Sequence, residues 1–263
     1  MGDGFIIDAH LHVGRPGAFF APATEPDDLL RIMDKLGISH AICMDHRSIV
    51  EGCGAGLDAH RELFDRSNGR IYYLGVFHPR RAAACLAALE RAKDWSGFAG
   101  LKIHPSCHGV PGDDPSYESA WTFAARHNLP ILTHSWSVSQ YNPTQYLSTP
   151  DRFENYVRSF GQARLVLGHA GGRGTGRLQA IRLAREYPNV YLDFAGDIFC
   201  YRLIENLVQS VPVEKILFGS DFPWFDPRAN LSRVLLAEAT PSTKIKILRD
   251  NAIRVYQLEV FQC

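Results

Sequence analysis

Short apolar segments, each followed by a helix-forming stretch, recur along the whole of this 263-residue chain. Phe5-Ile6-Ile7 leads into Asp8-Ala9-His10-Leu11-His12, Ile38–Met44 into Asp45-His46, and Ile71–Phe77 into His78-Pro79. Phe98 to Ile103 runs into His104-Pro105, Pro130 to Thr133 into His134, and Arg164 to Gly168 into His169. Val190–Phe194 follows, and Lys215 to Ser220 ends at Asp221. Helical spacing of apolar residues fills the gaps. The first helix begins Pro26-Asp27-Asp28, places Leu29, Ile32, Met33 and Leu36 on one face, and stops at Gly37. Others are expected near Leu57–Arg66, 81–93, 115–127, 151–160, 176–186 and 201–210, with two closing helices near 227–238 and 242–256. Residues 13–25 form a Gly/Pro-rich loop carrying Phe19 and Phe20.

Apolar strands of this kind are buried on both faces, as in a parallel sheet. Their spacing of about 30 residues is that of one strand–helix–strand step. An open doubly wound sheet would hold its ligand at one switch point. Here polar residues end strands one, four, five, six and eight, and only a closed barrel brings those ends together. The expectation is one (β/α)8 TIM barrel domain over residues 1–263, with an extra C-terminal helix and its site at the strands' C-terminal ends.

Composition narrows the function. Lys+Arg and Asp+Glu both total 28, so no net field attracts a nucleic acid or an anionic membrane. The six cysteines form no C-x-x-C pair and read as reduced thiols. The N-terminal residues show neither a basic region nor a long apolar run, so no signal peptide or membrane span is expected. A cytoplasmic enzyme acting on a small molecule, with homo-oligomerisation left open, fits these features.

The strand ends carry the chemistry. Residues i, i+2 and i+4 of a strand share a face, so Asp8, His10 and His12 should point together. Zinc–imidazole bonds are about 2.0–2.1 Å, and two imidazoles on one face can converge on one ion. Lys102 and His104 stand in the same i, i+2 relation. A buried lysine needs a partner: a carboxylate such as Asp8, or carbon dioxide, which would turn it into an anionic bridge between two cations. His134 and His169 end apolar strands, where a core histidine is an odd choice. Asp221 would be costly buried and unpaired; a metal supplies its partner, and the carboxylate can then take a proton from water.

DAHLH, LKIHP, ILTH, VLGHAGG and FGSDFPW resemble the amidohydrolase superfamily, in particular the amidohydrolase-related branch that includes aromatic-acid decarboxylases. The closing segment Ile245–Leu258, with Asn251-Ala252-Ile253-Arg254-Val255-Tyr256, resembles that branch's final helix. The resemblance implies that His10, His12 and Asp221 hold a first divalent metal, zinc or else manganese, with His134 as a further ligand. His169 would be a catalytic acid/base, or a second-metal ligand together with Lys102 if two ions bind. Lys102-Ile103-His104 is similar to the urease strand with a carboxylated lysine and a substrate-binding histidine.

On this basis the leading expectation is a hydrolase of a small amide, lactone or ester acting through metal-activated water, with Asp221 as base and His134 or His169 at the oxyanion. The alternative is a nonoxidative decarboxylase of an aromatic or unsaturated acid, with His169 or Asp221 handling the proton. A related DNase is disfavoured by neutral charge and by the lack of a glutamate ending strand four. A metal-free binding protein would not retain six such residues. Trp136, Tyr141, Arg173 and Trp224 are candidates for substrate contact, with the loop 135–149 as a wall. Gly171–Gly176 lacks the Gly-Lys-Ser/Thr ending of a phosphate loop and reads as a tight turn. Asp45, His46 and His78 also end strands, where structural roles serve equally well.

Overall fold

The computed structural model describes residues 5–14, 24–52, 54 and 56–260. Its apolar segments are the strands β1 (Ile6–Val13), β2 (Ile38–Asp45), β3 (Ile71–Val76), β4 (Phe98–Ile103), β5 (Pro130–His134), β6 (Arg164–Gly168), β7 (Val190–Asp193) and β8 (Ile216–Leu217). They form one sheet in chain order, every neighbouring pair parallel. The seam between β8 and β1 is bridged by backbone bonds: Ala9 N–H to the Phe218 carbonyl at 2.9 Å, and Asp221 N–H to the His10 carbonyl at 2.7 Å. The result is a nearly closed eight-stranded barrel with helices between its strands. Ile7, Leu101, Ile131, Val166, Leu192 and Phe218 are buried in its core.

Three departures from the expected elements have local causes. In β1 the register shifts, with Asp8 opposite Ala41 but Leu11 opposite Cys43, so one extra residue bulges out. Strict alternation therefore fails at Asp8, whose carboxylate turns back onto the N–H of His10 at 3.1 Å. β8 is shorter than the run 215–221, because a 3₁₀ turn takes Val213–Lys215 and Ser220 N–H bonds Asp8 Oδ1 at 3.0 Å. An unforeseen short helix, His46–Glu51, follows β2; Asp45 caps it by accepting from the N–H groups of Arg47 and Ser48.

The closing helix runs as Pro241–Ile245, a π-helical turn Lys246–Asp250, and Asn251–Tyr256. There the Ile247 carbonyl accepts from Phe218 N–H at 3.0 Å, so the loosened turn holds the barrel at β8. Residues 15–23, with Phe19 and Phe20, lie outside the described residues, as do Cys53 and Cys263. The described cysteines form no disulfide with one another. No described helix is long and apolar enough to cross a membrane.

Candidate metal centre

His10 and His12 on β1 meet Asp221 on the turn that follows β8. His12 Nε2 lies 3.2 Å from Asp221 Oδ1, and His10 Nε2 lies 3.8 Å from it. Asp221 sits in the left-handed region, at φ 65°, and its carbonyl accepts from the N–H of Trp224 at 2.9 Å, which holds the turn. Burial lowers both imidazoles well below the ordinary histidine range, and the Lys102 charge adds to this. Both rings are therefore neutral, with lone pairs to give. Two atoms bonded to one cation at about 2.0–2.1 Å in a tetrahedral arrangement are roughly 3.3–3.5 Å apart. One ligand atom from each of the three residues lies within 4.8 Å of the others, so the donor set fits a divalent cation.

Lys102 is fully buried beside this cluster, its Nζ 3.2 Å from His10 Nε2. Burial lowers the amine to about 8, and Asp193 and Asp221 oppose the fall. The pairing of Lys102 with Asp8 is not formed. Asp8 is spent on the N–H groups of His10 and Ser220, and its Oδ2 has no partner among the described residues. Burial raises this carboxyl to about 7. The carboxylate that does reach the cluster is Asp193, which the sequence reading passed over although it also ends an apolar strand. Its Oδ2 is 2.9 Å from His10 Nδ1, and its Oδ1 accepts from the N–H groups of His169 at 2.9 Å and Ala195 at 3.0 Å. Burial raises the Asp193 carboxyl, while the neighbouring His169 and these two N–H groups oppose the rise.

His169 is in the left-handed region at φ 61°, and its Nδ1 is 2.9 Å from the Ala195 carbonyl. With Nδ1 donating, Nε2 is left as the acceptor. His10, His169 and Asp193 also lie within ligand spacing of one another, with His10 Nδ1, His169 Nδ1 and both Asp193 oxygens already hydrogen-bonded. His134 is not brought into either group. Its Nε2 is 2.8 Å from Gln145 Oε1, a partner from the loop 135–149 that the sequence did not single out. Its ring stacks on His104 at 4.1 Å and 6°, and on Trp136 at 6.3 Å and 8°. His169 stands across this stack, at 64° to His134 and 69° to Trp136.

Arg173 lies at the rim. Its guanidinium is over Phe199 at 4.5 Å and Trp136 at 5.9 Å, and it donates to the Asp197 carboxylate at 2.8 Å. Tyr141 is fully exposed and forms no part of the wall. Trp224 meets His46 edge-on at 5.1 Å, and His46 in turn stacks on His12 at 4.5 Å, so His46 backs the His12 ring. His78 caps the turn Pro79–Arg81 and pairs with His108, away from the cluster.

Gly172 fixes Trp136 in place. Its φ is 72°, and a Cβ there would lie 2.6 Å from the indole. Gly172→Ala is expected to cost roughly 1–3 kcal/mol, the usual weight of one strained residue, or about 2–10 °C in thermal midpoint. Tryptophan fluorescence should shift with it. A wild-type midpoint and spectrum would show that the turn has room to give.

Comparison with known proteins bears on the family and the fold. The amidohydrolase-2 family model, described as amidohydrolase, matches residues 7–258. No curated protein matches by sequence. Among solved structures, 2,6-dihydroxybenzoate decarboxylase from Rhizobium superposes with a TM-score of 0.78 at 16% identity, over 97% of this chain and 99% of that one. 5-Carboxyvanillate decarboxylase from Sphingomonas paucimobilis gives 0.74 at 13%, over 97% and 99%. A dihydroxybenzoic acid decarboxylase from Polaromonas with bound manganese and the inhibitor 2-nitroresorcinol gives 0.76 at 16%, over 98% of each. Identities this low speak for the shared barrel alone, whereas the family match spans nearly the whole sequence. This chain belongs to the amidohydrolase-2 family of TIM-barrel enzymes.

Proposed function

We propose that this enzyme is a metal-dependent, nonoxidative decarboxylase of a hydroxylated aromatic acid. The observation that carries the reading is the run of His104, His134 and Trp136, each neighbouring pair parallel to within 8°, linked to His10 through the His169 ring, which lies 4.8 Å from His134 and 5.0 Å from His10. Parallel aromatic rings form a wall suited to another planar ring. The sequence motifs put hydrolysis first. The ring stack, together with the decarboxylases among the structures of similar fold, reverses that order.

One divalent ion, manganese or zinc, would be held by His10, His12 and Asp221, and when bound it would polarise the oxygen substituents of the substrate. The chain's own residues do the rest. Trp136 and the two stacked imidazoles orient the ring. Arg173, partly exposed over Trp136, draws an anionic substrate to the mouth. When the bond between ring and carboxylate breaks, the electron pair stays on the ring carbon and carbon dioxide leaves. The ring carbon then needs one proton. His169 is placed to relay it: with Nδ1 anchored on the Ala195 carbonyl, Nε2 would take a proton from solvent and pass it to the ring carbon.

The test is to incubate metal-loaded enzyme with 2,6-dihydroxybenzoate, 5-carboxyvanillate and related hydroxybenzoates in D2O, beside a panel of lactones, esters and amides. Carbon dioxide release with one deuterium on the product ring is expected. Turnover confined to the second panel, with oxygen-18 from water entering the product, would overturn the reading in favour of hydrolysis.

A further inference from the structure

Asp193 is fully buried and hydrogen-bonded through both oxygens. Oδ1 serves two backbone N–H groups, and Oδ2 faces His10 Nδ1 at 2.9 Å. A carboxylate has no hydrogen to give, so that contact is a bond when Nδ1 carries the proton. In a neutral imidazole the lone pair is then on Nε2. This is the nitrogen turned toward Asp221 Oδ1, and Lys102 Nζ, which can only donate as an ammonium, lies 3.2 Å from it. Two neighbours on opposite edges of the ring thus require the same tautomer. The same carboxylate fixes the backbone of His169, at the start of a strained pair of residues with φ 61° and 46°.

We propose that Asp193 is a positioning residue that locks His10 in the Nδ1–H tautomer, presenting Nε2 to the cation, while pinning the backbone that carries His169. The proposal rests on the metal-site reading above. Such outer partners of ligating histidines set ring orientation and raise ligand basicity.

Asp193→Asn separates this role from a merely structural one. The amide keeps the size of the side chain and an oxygen for the N–H groups of His169 and Ala195. It places an NH2 group opposite His10 Nδ1, so the imidazole must accept there and carry its proton on Nε2, where it blocks the cation. Nitrogen-15 NMR of the metal-free protein should show His10 protonated at Nδ1 in the wild type and at Nε2 in the variant. Calorimetric titration with Mn2+ should show affinity lowered by about 10–100-fold, with the thermal midpoint close to that of the wild type. Unchanged Mn2+ affinity in a folded variant would overturn the proposal. If the variant does not fold, the wild-type NMR decides alone: a proton on His10 Nε2 overturns the proposal, and a proton on Nδ1 supports it. A wild type that takes up neither Mn2+ nor Zn2+ overturns the metal-site reading, and the proposal with it; a wild type that binds with a variant that binds equally well overturns the proposal alone.

Discussion

Asp221→Ala, His10→Ala and His12→Ala are each expected to abolish cation binding and turnover while leaving the barrel folded. The three side chains gather at the barrel mouth, and Asp221 is partly open there, so their removal leaves the strand ladders intact. Losing the Lewis acid withdraws several kcal/mol of transition-state stabilisation. At about 1.4 kcal/mol per factor of ten, turnover should fall by on the order of 10³ or more. Metal analysis of each purified variant, with circular dichroism as the control for folding, checks this. Wild-type metal content in all three would move the centre elsewhere in the chain.

His169→Asn is expected to keep the cation and to lower turnover by on the order of 10²–10⁴, the usual weight of a positioned general acid or base. Asparagine is a fair choice at this position. It tolerates the left-handed backbone that His169 adopts, at φ 61°, better than other side chains of its size, so the turn into Gly171 and Gly172 should survive. Metal lost together with activity would make His169 a ligand and favour the two-ion arrangement in which Lys102 takes part. Full turnover with full metal would make it a structural residue. Between these outcomes, the separation of metal content from rate is what identifies a proton carrier.

These four substitutions probe residues that the sequence itself marks. His10, His12 and Asp221 are legible because they close apolar strands, and strands of a parallel barrel put their C-terminal ends on one face. Asp193 closes β7 in Val-Tyr-Leu-Asp and is missed, because the run continues into Phe194 and nothing local marks what the carboxylate touches. Its partner His10 is 183 positions away. Gln145 is hidden for the same reason, since its contact with His134 depends on how the loop 135–149 folds back over the mouth.

What the sequence alone determined is the architecture and the collection of groups at its mouth. Burial of each strand on both faces writes itself as an unbroken apolar run, and a polar residue at the end of such a run must find a partner at the barrel rim. Which partner it finds is decided by tertiary structure. A bulge in β1 turns Asp8 away from Lys102 and onto backbone N–H groups, and Lys102 comes to rest against His10 instead. His134 is given to Gln145, and Asp193 to His10 Nδ1. Periodicity reports the face of an element on which a side chain lies. The pairing of a particular nitrogen with a particular oxygen depends on strands brought together from opposite ends of the chain, at tolerances of a few tenths of an ångström that no local pattern encodes.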